Sequence, residues 1–257
     1  MKSVSDVAEA VRRGLSVEEL DLSALDRILE HEAGDLTCTV EAGIRLSALQ
    51  AKLAAHGQML ALDPPGDPTI GACIAGDLAG PRSHRYGRMR DLVLGVTVVL
   101  GDGLVASSGG KVVKNVAGYD LGKLFCGSRG TLGVVVRASL RLHPQPVASA
   151  TLVAPASSAA DADSKRRAIL RSTLVPSALD ASPERLAVLF EGGRRAVESQ
   201  LETARALVGG GLAGEEVWDD VRARPRPDAE NGHDDAVAAL MERIRVELDP
   251  HGVFAPA

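Results

Sequence analysis

Aromatic side chains are scarce in this chain: three Phe, two Tyr and one Trp among 257 residues. Val, Leu and Ala must therefore build the core, and a row of aromatic platforms for stacking single-stranded nucleic acid is excluded. Basic excess is also missing. The formal net charge is −5, so no long-range field draws in phosphate backbones and no nucleic-acid partner is expected. Cys38, Cys73 and Cys126 are the only cysteines. An odd number without CxxC spacing excludes a disulfide framework and a zinc site, and points to a reduced, cytoplasmic protein. Cys38 and Cys73 sit in apolar stretches and read as small core residues. His84, His143 and His251 stand apart, with no HExxH or HxxxH, so no metal is expected. The longest mostly apolar run, Leu92 to Leu100, has the length of a strand. A membrane span needs about 20 such residues. The amphipathic N-terminus shows no apolar signal segment, so no direct membrane insertion is expected.

What is present is periodicity and glycine. Val4, Val7, Ala8 and Val11 fall on one helical face, with Ser3 as N-cap. Leu36, Cys38 and Val40 alternate as a strand, and Leu46, Leu49 and Leu53 mark a helix. Asp91 to Leu100 reads as a strand, and Asp102-Gly103 turns it back into a partner at Leu104 to Ser107. Val134 to Leu142 alternates again. After Pro146, strands at 149–153 and 186–190 alternate with helices at 158–171 and 194–208. That order describes a small α+β unit. Residues 222–235 are polar and Pro-containing and read as a linker, before a last amphipathic helix through Val237, Leu240, Ile244 and Leu248.

Glycine is concentrated. Residues 101–133 hold nine of the 27 glycines. Glycine packs nothing and is entropically costly, so crowding implies sharp turns or close approach to a ligand. A second such stretch, 63–87, is read as an extended Pro/Gly-rich loop. There Thr69, with the backbone N–H groups of Ile70 and Gly71, offers donors for phosphate or a flavin edge, against the alternative of an ordinary surface loop. Gly127 to Gly133 runs into the strand at Val134 without GxGxxG order, and no GxxxxGK[ST] occurs. Lys111, Lys114 and Asn115 could neutralise a pyrophosphate or an acidic substrate, or be solvated loop residues. Tyr86 and Tyr119 could place hydroxyls in a site or be core rings. No acid, base or nucleophile stands out, and no catalytic residue is assigned.

The wording inside these stretches carries more. TVEAG at 39–43, TIGACIAGDLAGPRSHRYGRMRDLVLG at 69–95 and SGGKVVKNVAGYDLGKLFCGSRGTLGVV at 108–135 resemble the FAD-binding subunits of bacterial glycolate oxidases. These are vanillyl-alcohol-oxidase-like flavoproteins with a para-cresol-methylhydroxylase-type FAD domain. The resemblance implies an α+β fold in which FAD lies between two α+β subdomains, with a small α+β cap. It implies an FAD-binding domain over 1–147, a cap over 148–221, a linker over 222–235 and a C-terminal helix and tail over 236–257. Cofactor contacts are implied at Pro65, Thr69, Ile70, Gly71, Gly76, Gly80, Tyr86, Gly87, Gly130, Gly133 and Val135, with Lys114 and Asn115 available for phosphate. The implied activity is oxidation of glycolate to glyoxylate. The implied partners are a hydroxy-acid-oxidising flavoprotein subunit and an iron–sulfur subunit, in a cytoplasmic complex that touches the inner membrane only through them.

The chain also departs from that pattern. No glycine occurs between Gly14 and Gly34, where the family carries a Gly-rich phosphate loop, so the first subdomain is expected to be truncated. Ala72 replaces a second glycine, and Ala255 and Ala257 replace the usual Asn and Gly of the tail. These departures raise an alternative: a non-catalytic assembly subunit of the same complex that has lost tight FAD binding.

Overall fold

The computed structural model describes residues 1–110, 122–224 and 235–254. The first helix, α1 (Val4–Arg12), starts where a capping box forms. Ser3 Oγ accepts the Asp6 N–H, and the Asp6 carboxylate accepts the Ser3 N–H. A single 3-10 turn at Val17–Glu19 follows, and then β1 (Ile28–Glu32) and β2 (Thr37–Glu41). Helix α2 (Leu46–Ala54) leads to β3 (Gln58–Met59), and three short helices follow: α3 (Ile70–Ala75), α4 (Ser83–Tyr86) and α5 (Met89–Leu92). Next come β4 (Val93–Val99), β5 (Val105–Gly109), α6 (Gly122–Phe125), β6 (Val134–Arg141) and β7 (His143–Pro144). The later half holds β8 (Ala148–Pro155), α7 (Ala159–Leu170), β9 (Ala178–Ser182), β10 (Arg185–Gly192), α8 (Arg194–Val208), β11 (Gly211–Ala213), α9 (Glu216–Ala223) and α10 (Asp235–Leu248).

Two main sheets organise these elements. One has five strands in the order β1-β2-β6-β4-β5, and the other has four in the order β11-β8-β10-β9. Every pairing among the described strands is antiparallel. The β4–β5 hairpin turns at Asp102-Gly103, where Gly103 takes φ +77° and Asp102 Oδ1 accepts the Leu104 N–H at 2.8 Å. In β6 the pairing slips: Thr97 faces Arg137 but Val98 faces Val135, leaving Val136 as the extra residue of a bulge. The bulge lets one strand serve two cores. Val135, Ala138 and Leu140 join Val40, Val96 and Val98 beneath α2 and α3, whereas Val134 and Val136 join Val7, Ala8 and Val11 of α1.

The α+β class expected from the sequence is the one found. Several local expectations need correction. The stretch 63–87 is not a continuous loop, because α3 and α4 form within it, and Asp91 and Leu92 belong to α5 rather than to the following strand. Strands β1, β9 and β11 have weak alternation and were not foreseen; a polar strand such as Ile28–Glu32 is held by its partner's ladder rather than by its own pattern. Helix α9 extends to Ala223, into the segment read as a linker, and residues 225–234 lie outside the described ones. No strand forms among residues 15–27, so nothing described there replaces a Gly-rich strand–loop unit.

Candidate functional site

The end of β2 and the start of α3 are sewn together by backbone. Gly71 N donates to Ala42 O at 2.7 Å, Ile70 N to Ile44 O at 2.9 Å, and Leu46 N to Pro68 O at 3.0 Å. Arg45 and Thr69 face each other in an isolated bridge. Gly71 is small because a Cβ there would stand 3.1 Å from both Ala42 Cβ and Ala42 O, so its size is set by internal packing. Thr69 caps α3, its Oγ1 accepting the Ala72 N–H at 3.2 Å. The backbone donors expected to reach a ligand from this turn are therefore already committed within the protein, from Ile70 through Cys73.

Beside this seam lies a cavity of about 540 Å³. Thr69, Gly71 and Ala72 form one side, and Gly130, Gly133, Val134 and Val135 another. The segment Val17 to Asp26 and the face of α2 at Arg45, Ala48 and Lys52 complete it. The volume falls within the ~300–1,000 Å³ typical of ligand pockets. Gly43 holds the 17–26 segment down: Gly43 N donates to Leu25 O at 2.8 Å, and a Cβ at 43 would overlap the Leu22 carbonyl. Asp21 and Asp26 also line the space. The Asp21 carboxyl lies below its ordinary range because it accepts hydrogen bonds from Ser23, so it is no base poised near neutral pH.

The cavity brings together five of the residues expected at a cofactor: Thr69, Gly71, Gly130, Gly133 and Val135. Others lie elsewhere. Ile70 is fully buried in the core beneath the sheet, and Pro65 is exposed on the loop before it. Gly76 caps α3 and packs on Leu78. Gly80 abuts Asp63, and Gly87 takes φ +86° against Asp91. The Tyr86 ring stands edge-on to His143, with centroids 4.9 Å apart, and carries the Arg85 guanidinium 5.3 Å above it. Lys111, Lys114, Asn115 and Tyr119 lie outside the described residues. Cys38 and Cys73 are buried, and burial pushes each thiol up to about 12, which keeps it inert.

Sequence reasoning missed two features. One is the cavity side of α2, legible as Arg45, Ala48 and Lys52 at i, i+3 and i+7, about 100° round from the leucines. The other is a charged seam joining the two sheets, whose members are far apart in sequence. Arg82 donates to Glu191 Oε1 from Nε at 3.1 Å and from Nη2 at 2.8 Å, and Glu191 is almost wholly buried. Arg82 N donates to Asp63 Oδ1 at 3.1 Å, and Arg222 Nη2 lies 3.6 Å from Asp63 Oδ2. Arg85 Nη1 donates to Ser177 Oγ and to the Glu191 carbonyl.

Burial raises the Asp63 carboxyl to about 6, against the opposing pull of Arg82 and Arg222. A carboxyl raised in the folded state binds its proton more tightly there than in the unfolded chain. Its stabilising contribution is thus complete below the unfolded value of 3.8 and is lost as pH rises through about 6. Lowering the pH from 7 to 4 should stabilise the wild type relative to Asp63→Asn by up to ~3 kcal/mol, at ~1.4 kcal/mol per pK unit. Urea titrations of both proteins across that range check this; parallel pH profiles would contradict it.

With the geometry in place, the chain's likeness to known proteins can be stated. Residues 5–109 match the FAD binding domain family. The match is to a family named for binding FAD, and it lies within the first 109 residues. More particularly, the chain is 34% identical over 218 residues to the glycolate oxidase subunit GlcE of Escherichia coli, covering 84% of this chain and 61% of that protein. It is 36% identical over 158 residues to the glycolate oxidase subunit GlcD of Bacillus subtilis, covering 61% of this chain and 34% of that one. The mitochondrial D-lactate dehydrogenase (cytochrome) 1 of Saccharomyces cerevisiae is 37% identical over 135 residues, with 52% and 23% covered. The chain thus spans between 23% and 61% of the lengths of these relatives. Among solved structures, an alkyldihydroxyacetonephosphate synthase superposes with a TM-score of 0.65 at 20% identity, covering 78% of this chain and 44% of that one. This likeness is one of fold.

The cavity's lining fits such a cofactor. Val17, Leu20, Ile44 and Val135 offer apolar surface to a planar ring, Thr69 a hydroxyl, and Arg45 and Lys52 positive charge. No helix among the described residues is long and apolar enough to cross a membrane.

Proposed function

We propose that this chain is an FAD-binding subunit of an enzyme complex that oxidises a 2-hydroxy acid, glycolate in the first instance, to the 2-oxo acid. The observation that carries the reading is the joint one. A chain similar along 84% of its length to a glycolate oxidase subunit folds its Thr69–Gly71 and Gly130–Val135 segments onto one cavity. What bound FAD supplies is a two-electron acceptor. The chain's own residues would orient and shield it: Thr69 by its hydroxyl, Gly130 and Gly133 by leaving space, and Gly71 and Val135 by lying against it. Pro65, Ile70, Gly76, Gly80, Tyr86 and Gly87 lie outside the cavity lining and would act by holding the segment that carries Thr69 and Gly71, and Lys114 and Asn115 would add polar contacts. Residues 1–147 would be the FAD-binding unit and 148–221 the cap. The reading includes a hydroxy-acid-oxidising flavoprotein subunit and an iron–sulfur subunit as partners, the latter taking electrons onward, in a cytoplasmic assembly.

Purified protein should show the visible absorbance bands of a flavin, or take up added FAD with quenching of its fluorescence. A colourless protein that takes up none would overturn the proposal. That result would favour a second reading, an assembly subunit without flavin. It is supported by the commitment of the Ile70–Cys73 N–H groups to internal bonds and by the lack of a strand–loop unit over 15–27. Such a subunit would co-purify with its hydroxy-acid-oxidising partner while carrying no flavin.

A further inference from the structure

The cavity has a marked charge asymmetry. Its only cations among the described residues are Arg45 and Lys52, both on the α2 wall, and its only carboxylates, Asp21 and Asp26, stand on the 17–26 wall. Helix α2 itself, LSALQAKLA, contains no acid. Arg45 is the N-cap residue of α2, and Ala48 and Lys52 follow it at i+3 and i+7, so the two cations stand about 10 Å apart along the helix axis, at ~1.5 Å per residue. Ala48 between them keeps the surface low. The neighbouring stripe, Leu46, Leu49 and Leu53, set about 100° round the helix, is buried in the core and fixes the helix rotation.

Arg45 is also held in place. Its Nη1 donates to the Asp67 carbonyl at 2.7 Å, and its backbone bridges to Thr69. Only one of the five guanidinium N–H groups has that partner, so the rest of the fork remains available to an anion. The cation and the Thr69 hydroxyl are thereby set side by side at the cavity rim. Lys52 has no ion-pair partner among the described residues, although three acidic residues, Asp21, Asp26 and Asp67, lie on neighbouring walls or loops. The backbone N–H groups of Ile70, Gly71 and Ala72 cannot serve an anion, since each is already donated inside the protein. Positive charge at this cavity must come from side chains.

We infer that Arg45 and Lys52 form the phosphate-binding wall of the cavity. They would take the diphosphate of the dinucleotide by side-chain charge, in place of a backbone cradle. The inference rests on the FAD reading above. Arg45 would bind as a planar fork beside Thr69, and Lys52 as a mobile point charge two turns along. Binding through exposed cations weakens with salt, because such charges are screened over about 10 Å at 0.1 M ionic strength.

The test is equilibrium titration of the full chain with FAD and, separately, with riboflavin, which has the same ring system and no phosphate. Proteins compared are the wild type, Arg45→Gln/Lys52→Gln, Lys52→Gln and Lys52→Arg, each first shown by circular dichroism to keep the wild-type fold and melting temperature. Both side chains are exposed, so the fold should be unaffected. The double variant should bind FAD on the order of 100-fold more weakly, at roughly tenfold per charge-assisted contact, with riboflavin affinity unchanged. Lys52→Arg should restore most of what Lys52→Gln loses, and raising salt should weaken FAD binding in the wild type more than in the double variant. If the double variant binds FAD as tightly as the wild type, the inference falls and the FAD reading stands. If both ligands weaken equally, the two cations shape the pocket without reading phosphate, and the inference falls as well. If the wild type binds neither ligand, the FAD reading itself fails and takes the inference with it.

Discussion

Arg82→Ala should cost about 3–5 kcal/mol of folding stability, the range for stripping one partner from a buried ion pair. Arg82 is the only described group that donates to the Glu191 carboxylate, and it does so twice through Oε1. Glu191 Oε2 is buried and already has no hydrogen-bond partner. Removing the guanidinium leaves a carboxylate enclosed between the two sheets with nothing to offset its lost hydration. The same substitution also takes away the charge facing Asp63, 3.8 Å from Arg82 Nη1. Chemical denaturation reads the loss directly. The double substitution Arg82→Met/Glu191→Leu separates the causes, because it removes the stranded charge while keeping volume. It should recover most of the stability, whereas an Arg82→Ala protein within ~1 kcal/mol of the wild type would show that water reaches Glu191 freely. The seam is therefore weak evidence for high stability and strong evidence for specific docking of the β8–β10 sheet on the Asp63–Arg82 loop.

Gly43→Ala should be nearly as damaging, and it should also disturb the cavity. A Cβ at this position would overlap the Leu22 carbonyl and stand 2.9 Å from the Leu25 carbonyl, both backbone atoms that cannot swing aside. Overpacking of this kind costs roughly 1–3 kcal/mol and more where backbone must shift. Relief requires lifting the 17–26 segment, which is one wall of the cavity. FAD uptake should fall together with the melting temperature. Gly34→Ala is the control: nothing lies within 4 Å of its Cβ, and it should behave as the wild type does. Equal behaviour of the two variants would contradict the packing argument.

Much of the scaffold could be read from residue patterns because burial leaves a periodic trace. Val7, Ala8 and Val11 share a helical face, and α8 spans Arg194–Val208 as its apolar spacing requires. Cys38 and Val40 alternate into the core. Short helices such as α4 and α5 escaped because four residues are too few to show a period, and β1 escaped because its strand is polar and held by β2. Gly130 and Gly133 of the glycine-dense stretch line the cavity, as does Gly71 of the 63–87 stretch, but at Gly71 packing inside the protein sets the residue's size. There the missing side chain makes room for Ala42, which no local pattern could reveal.

Residue types and their order determined the α+β class, the long helices, the β4–β5 hairpin and the inert placement of Cys38 and Cys73. They also carried the likeness to FAD-binding subunits, since motif wording is local. Only the tertiary structure decided which donors remain free. The N–H groups of Ile70 and Gly71 are spent on the Ile44 and Ala42 carbonyls just after β2, while Arg45 and Lys52 line the cavity because the leucine face of α2 is anchored in the core. The Arg82–Glu191 contact likewise joins residues 109 positions apart. Such pairings depend on chain crossings and helix rotation, which are settled by the summed packing of distant residues and leave no mark at either partner alone.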